Sequence, residues 1–185
     1  VNEQIRIIEA DLSVPAHGAA VVRLLDAYAR DAMGLGGPLS DSVRERLIDG
    51  LQRHPTRLVF LAELQAEPVG LAVCFLGYST FAARPLINIH DLAVLPEFRQ
   101  RGIAARLLEA VEARARELDC CKVTLEVRVD NAGARSLYET RGFSAGDCPY
   151  EFWTKPLDTQ GRPELAEVNR FSSPAAEFVA IAGQP

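Results

Sequence analysis

The chain has 185 residues, 48% of them apolar and 24% charged, with a net charge of −5 at neutral pH. That length suits one domain with a sizeable core. The charge argues against a sequence-independent nucleic-acid binder, which needs a basic face, and no apolar run is long enough to cross a bilayer.

The N-terminus carries no signal-peptide pattern. The four cysteines, Cys74, Cys120, Cys121 and Cys148, lack metal-ligand spacing. They read as free thiols of a cytoplasmic protein, with no metal expected.

Ile5 to Glu9 reads as a first strand. Asp11 and Ser13 offer caps, and Pro15 leads into a helix over Ala19 to Asp31, where Val22, Leu25 and Tyr28 or Ala29 recur at helical spacing. Met33 to Leu39 holds three glycines and a proline in seven residues, so it is a loop: either a mobile flap over a site or a plain connector. Ser40 or Asp41 caps a second helix, Ser42 to Gln52, with Val43, Leu47 and Leu51 on one face.

Strands follow at Arg57 to Leu64, Val69 to Leu76 and Leu86 to Val94. The second of these is apolar enough to be central. A third helix spans Gly102 to Leu118, with Ala104, Leu107, Leu108, Val111, Ala115 and Leu118 as its stripe. Val123 to Val129 alternates as a fifth strand. Asn131 caps a fourth helix that ends near Arg141 and Gly142. Phe143 and Glu151 to Lys155 read as two last strands.

The order is β-α-α-β-β-β-α-β-α-β-β. It predicts an α/β (α+β) fold: a mixed, mostly antiparallel sheet of about seven strands with helices on both faces. Beyond Leu157 the pattern weakens. Residues 158–185 are either a disordered tail or a partner-docking arm.

The stretch Asp91 to Leu108 carries the clearest chemistry. A strand breaks at Pro96, a basic turn follows, and a helix begins. Arg99, Gly102 and Ala104 form the pattern [Arg/Gln]-x-x-Gly-x-[Gly/Ala]. Free N–H groups at a helix N-terminus hold a pyrophosphate, and Gly102 lets the backbone approach it without a Cβ. Arg99, Arg101 and Arg106 add charge. No Gly-Lys-Ser/Thr follows, and there is no Gly-x-Gly-x-x-Gly, so triphosphate and nicotinamide readings are weak.

His90-Asp-Leu-Ala-Val-Leu-Pro-Glu-Phe-Arg-Gln-Arg-Gly-Ile-Ala resembles motif A of the GNAT superfamily, the acyl-CoA-dependent N-acetyltransferases. Asp130-Asn-Ala-Gly-Ala-Arg-Ser-Leu-Tyr-Glu-Thr-Arg-Gly-Phe143 resembles its motif B. The one departure is Ala104, where Gly is commoner. The resemblance covers residues 5 to 157 and implies a GNAT domain over 1–157.

It also implies a fold in which the fourth and fifth strands splay after a bulge, with acetyl-CoA as cofactor. The pantetheine arm would lie along Leu92, Ala93 and Val94. The pyrophosphate would sit on Arg99, Gln100, Arg101, Gly102, Ile103 and Ala104, and Asn131, Ser136 and Tyr138 would complete the cofactor contacts.

Such enzymes attack the thioester directly with an amine. By resemblance, Tyr138 protonates the departing thiolate. Tyr78 to Leu92 resembles the polyamine-acetyltransferase branch, where an acidic residue stands at the position of His90 and is a base candidate. Histidine titrates near ~6.5 when unperturbed and suits that role. In a regular strand His90 and Asp91 point to opposite faces.

Acceptor contacts are expected from Asp26, Tyr28, Asp31, Met33, Tyr78, Phe81, Arg84 and His90; Asp26 and Asp31 are either solvated charges on the helix, the favoured reading, or partners of a cationic amine. The leading reading is acetyl transfer to a small primary amine, with no nucleic-acid or membrane partner. Acetylation of a protein N-terminus or lysine is a second reading. A non-catalytic acyl-CoA sensor is a third, and Tyr138 speaks against it. Dimerisation is common in the superfamily, which leaves a homodimer open.

Overall fold

A computed structural model of the chain describes residues 4–146, 153–155 and 157. The chain divides into two units, Val1–Gly146 and Asp147–Pro185, and every element below lies in the first. Their order is β1 (Ile5–Glu9), α1 (Pro15–Arg30), α2 (Asp41–Arg53), β2 (Arg57–Leu64), β3 (Glu67–Ser79), β4 (Arg84–Val94), a 3₁₀ turn (Pro96–Phe98), α3 (Ile103–Glu117), β5 (Val123–Leu125) and α4 (Ala132–Thr140).

One sheet runs in the order β1-β2-β3-β4-β5. It is antiparallel except for the parallel β4–β5 pair. The expected α/β sheet with helices on both faces is present. The described residues contain five of the seven expected strands. Phe143 and residues 153–155 are not in strands, and residues 151–152 and 158–185 lie outside the described residues.

The pleat explains the layering, because successive residues of a strand face opposite sides. Val59, Leu61, Leu71 and Val73 pack with Val21, Leu24 and Leu25 of α1 and Leu51 of α2. Phe60, Ala62, Ala72 and Cys74 pack with Ile103, Leu107, Leu108 and Val111 of α3. Both faces are covered, so Val69 to Cys74 is buried throughout.

Helix α1 starts four residues before its expected start. Proline is well tolerated in a first turn because its missing N–H has no helical partner there, and Pro15 occupies that position. Helix α2 has its Ser40 cap, whose hydroxyl accepts from the Val43 N–H.

β5 is much shorter than the expected Val123–Val129 strand. Ile87–Ile89 pairs with Val123–Leu125, and the pairing then ends. The cause is visible one residue further along β4. Val73 pairs with Asp91 but Cys74 pairs with Ile89, so His90 is an extra residue opposite β3. A bulge of this kind bends its strand and sharpens the local twist, and the two strands separate there.

Candidate active site

Three connected hollows surround the bulge. A cleft of about 470 Å³ lies between the end of β4, the turn before α3 and the face of α4; Val94, Gly102, Ala104, Asn131 and Tyr138 are among its walls. A gap of about 130 Å³ occupies the opening between β4 and β5, where His90 and Tyr138 both line it. A third hollow, about 440 Å³, lies between α1, α2 and the bulge, with His90 and Asp91 in its wall. Tyr28 and Met33 border all three.

The cleft is built for an anion at one end. Gln100 and Gly102 are both left-handed, at φ 61 and 75. Alternation of this sort turns successive N–H groups to one side. No side chain caps the first turn of α3, so its N–H groups and the positive end of its dipole are left for a ligand. A Cβ built on Gly102 meets no atom within 4 Å; the space beside it is open.

Residues 21–143 match the Acetyltransferase (GNAT) family. The chain belongs to this family. It is 34% identical over 102 residues to the N-alpha-acetyltransferase MAK3 of Arabidopsis thaliana, a match covering 55% of this chain and 53% of the relative. The chain spans about half the length of the curated relatives it matches.

Among solved structures it resembles a probable acetyltransferase at TM-score 0.68 and 25% identity, covering 83% of this chain and 98% of that one. It also shares the fold of an aminoglycoside acetyltransferase from an uncultured soil metagenomic sample, at TM-score 0.68 and 21% identity, covering 82% and 96%. The second likeness speaks for the fold alone.

The GNAT cleft brings together Leu92, Ala93, Val94, Arg99, Gln100, Gly102, Ile103, Ala104, Asn131 and Tyr138. Arg101 and Ser136 are not in its lining. Arg101 lies over the Phe98 ring, 5.4 Å from its centroid, and donates to the Glu97 carbonyl. Ser136 is two residues from Tyr138, which turns it to another face of α4. Ala104, expected in the core stripe, faces the cleft, while Ile103 and Ala105 take the buried positions.

Arg99 is held in place by the protein itself. It donates through Nε to the Val94 carbonyl at 3.0 Å and through Nη2 to Asp31 at 2.7 Å. Asp31 also accepts from the Met33 N–H at 2.8 Å. The Met33 N–H, then Arg99, holds the Asp31 carboxyl below its ordinary range. Asp31 is therefore a clamp between the α1 end and the turn before α3, not a free anion for an amine.

Asp26 is similarly engaged. Burial works to raise its pKa, but bonds from Arg30, the Leu39 N–H and Arg44 outweigh it and hold the carboxyl below its ordinary value. Asp26 braces α1 against α2 and borders none of the three hollows.

Tyr78, Phe81 and Arg84 are also absent from the three hollows. They lie at the far end of the β3–β4 hairpin, and five strand residues stand between Arg84 and His90, roughly 20 Å of extended chain. Arg84 bonds Asp119 there, while Phe81 is fully exposed. Tyr28, Met33 and His90 are the expected acceptor residues that the fold does bring together.

Asp91 borders the same hollow as His90. The expected opposite facing fails because the bulge at His90 breaks the alternation. Burial pushes the Asp91 carboxyl up, with His90 pulling the other way. Burial pushes the Tyr138 hydroxyl up to about 12, with Tyr28 adding to the effect.

Sequence reading missed Gly133, Ala134 and Leu137, which share the cleft face of α4. They stand at i−5, i−4 and i−1 from Tyr138, and helical spacing from Tyr138 would have found Ala134. The small residues there leave room beside the cleft. Among the described residues no cluster could hold a metal ion, and no helix is long and apolar enough to cross a membrane.

Proposed function

We propose that this chain is an acetyl-CoA-dependent N-acetyltransferase that acts on a primary amine by direct attack on the thioester. The observation that carries the reading is the gap between β4 and β5, where His90 and Tyr138 line one small space that adjoins the uncapped first turn of α3.

Bound acetyl-CoA supplies an acetyl group activated as a thioester. The backbone turn from Gln100 to Ala104 would hold the diphosphate, and the end of β4 from Leu92 to Val94 would offer its edge to the pantetheine arm, as an added strand would be received. β5 has separated by then, so this edge is not paired to it.

The acceptor amine must be neutral to attack. His90, directly or through water, removes its proton, and the bulge turns His90 towards the acceptor side as well as the gap. The departing sulfur needs a proton. With its hydroxyl raised to about 12, Tyr138 is protonated at neutral pH and donates there. Asn131 caps α4 by accepting from the Ala134 N–H at 3.2 Å, which fixes the helix that carries Tyr138.

The acceptor reading is a small primary amine. Similarity to MAK3 of Arabidopsis thaliana, an N-alpha-acetyltransferase by name, supports a second reading, a peptide N-terminus.

The test is steady-state kinetics of thiol release. Tyr138→Phe is expected to lower kcat by about 10²-fold or more with acetyl-CoA affinity little changed. His90→Ala is expected to lower kcat/KM for the amine and to remove the low-pH limb of its pH profile. A Phe variant with full kcat removes Tyr138 from the mechanism. An unchanged pH profile removes His90.

A further inference from the structure

We infer that the acceptor of this site is a primary amine with a single charge and an apolar body, and not a polyamine or aminoglycoside. The inference rests on the acetyltransferase reading and specifies its substrate class.

The hollow on the acceptor side of His90 is walled by aliphatic side chains from three segments: Leu25 of α1, Leu35 of the loop, and Leu39, Val43 and Leu47 at and in α2. Its polar side chains are Tyr28, His90 and Asp91, and Asp91 lies close enough to interact electrostatically with both of the others. Leu35 is 46% exposed, an apolar side chain at the wall that an entering ligand would cover.

The two acidic residues expected to receive ammonium groups are already matched, and Glu126, which borders the gap and not this hollow, accepts from the Asn88 amide. Asp26 accepts from Arg30, Arg44 and the Leu39 N–H. Asp31 accepts from Arg99 and the Met33 N–H. Neither borders this hollow. One amine can therefore meet His90 and Asp91, while a second cation would lie among leucines without a partner. Burying an unpaired charge is far costlier than burying methylenes, whereas each buried methylene contributes about 0.8 kcal/mol, or roughly fourfold in affinity.

This chemistry could come from a free monoamine or from a peptide whose first residue is apolar. The experiment uses the full chain with acetyl-CoA and measures kcat/KM by thiol release. The probes are n-alkylamines of rising length, phenethylamine, diamines of matching length, an aminoglycoside, and short peptides beginning with Leu, Phe, Ser or Asp.

The expected result is a rise of about fourfold per methylene until the hollow is filled, with each diamine at least about tenfold below its monoamine. Free amines ahead of peptides identify the first source, and Leu- or Phe-initiated peptides ahead of free amines identify the second. Either order supports the inference if the apolar preference holds.

A flat length dependence, or preference for diamines or the aminoglycoside, overturns the inference and leaves the acetyltransferase reading standing. Tight acetyl-CoA binding with no transfer to any probe overturns both. Val43→Asp, and independently Leu35→Asp at the more exposed wall position, should narrow the monoamine-to-diamine ratio by about tenfold while acetyl-CoA binding by calorimetry stays as in the wild type. A ratio unchanged in both variants, each binding acetyl-CoA normally, overturns the inference.

Discussion

Asp31 shows how one residue can join the two halves of the site. One carboxyl oxygen takes the Met33 N–H and the other takes Arg99, while Met33 borders all three hollows. Asp31→Asn keeps an acceptor for Met33 and loses the charge beside Arg99. Asp31→Ala loses both. Each hydrogen bond contributes about 1 kcal/mol, so the alanine variant should raise acceptor KM about fivefold more than the asparagine variant. Steady-state kinetics with both substrates varied checks this, and equal effects would show that the Met33 bond is idle.

The lowered pKa of Asp31 also has a stability consequence. Its native value lies below the 3.8 of an unperturbed aspartate, so its contribution is complete above that pH. The contribution is lost as pH falls through the native value. Because Arg99 is nearly half exposed, solvent screening keeps the effect small. The loss of stability between neutral and acid pH should be shallower in Asp31→Asn than in the wild type, measured by denaturant midpoints.

At the scale of elements, two glycines carry different loads. A Cβ at Gly34 would lie 2.1 Å from the Tyr28 carbonyl oxygen, and the adjoining loop is tied to α1 by bonds from Leu35 and Gly37 to the Ala29 carbonyl. The loop is pinned to the C-terminal end of α1. Gly34→Ala should therefore destabilise the fold by about 2 kcal/mol and lower the melting temperature.

Gly102 has open space beside it and φ 75. Gly102→Val should cost only the left-handed backbone penalty, about 1–2 kcal/mol, in the free protein. It should weaken CoA binding by an additional tenfold or more, since the added methyls would stand in the open space proposed for the diphosphate. Calorimetry of CoA binding beside a denaturation curve separates the two effects.

Much of this element scale was legible in the sequence. Ile5–Glu9 and Arg57–Leu64 have the bounds that alternation and flanking turns suggest. Asn131 caps its helix as its residue type implies. What local pattern could not supply was the bulge. His90 is one more residue in an apolar alternating run, and only the pairing with β3 shows it to be extra. The short β5 and the shared facing of His90 and Asp91 both follow from that event. The Asp26–Arg30 pair follows i,i+4 spacing, but the pairs that tie Asp26 and Asp31 to other elements were equally hidden. Their partners Arg44 and Arg99 are far along the chain, so spacing on one helix says nothing about them.

For the whole molecule, the sheet with helices on both faces places an uncapped helix start, a splayed strand edge and an apolar hollow around His90 and Tyr138. Family membership was readable from the two motifs, because pyrophosphate binding and the Asn131–Tyr138 helix need fixed local spacing. The acceptor was not, because the hollow proposed for it is walled by α1, α2 and the loop between them, where aliphatic side chains serve packing and recognition alike.

The central claim is acetyl transfer from acetyl-CoA to a primary amine across the gap between β4 and β5. The most direct measurement is to incubate the full chain with acetyl-CoA and the amine panel, and to quantify free thiol and acetylated amine by mass spectrometry. Equal amounts of thiol and N-acetyl product, both strongly reduced in Tyr138→Phe, are the predicted result. Acetyl-CoA bound by the chain with no acetylated amine or peptide formed would contradict it.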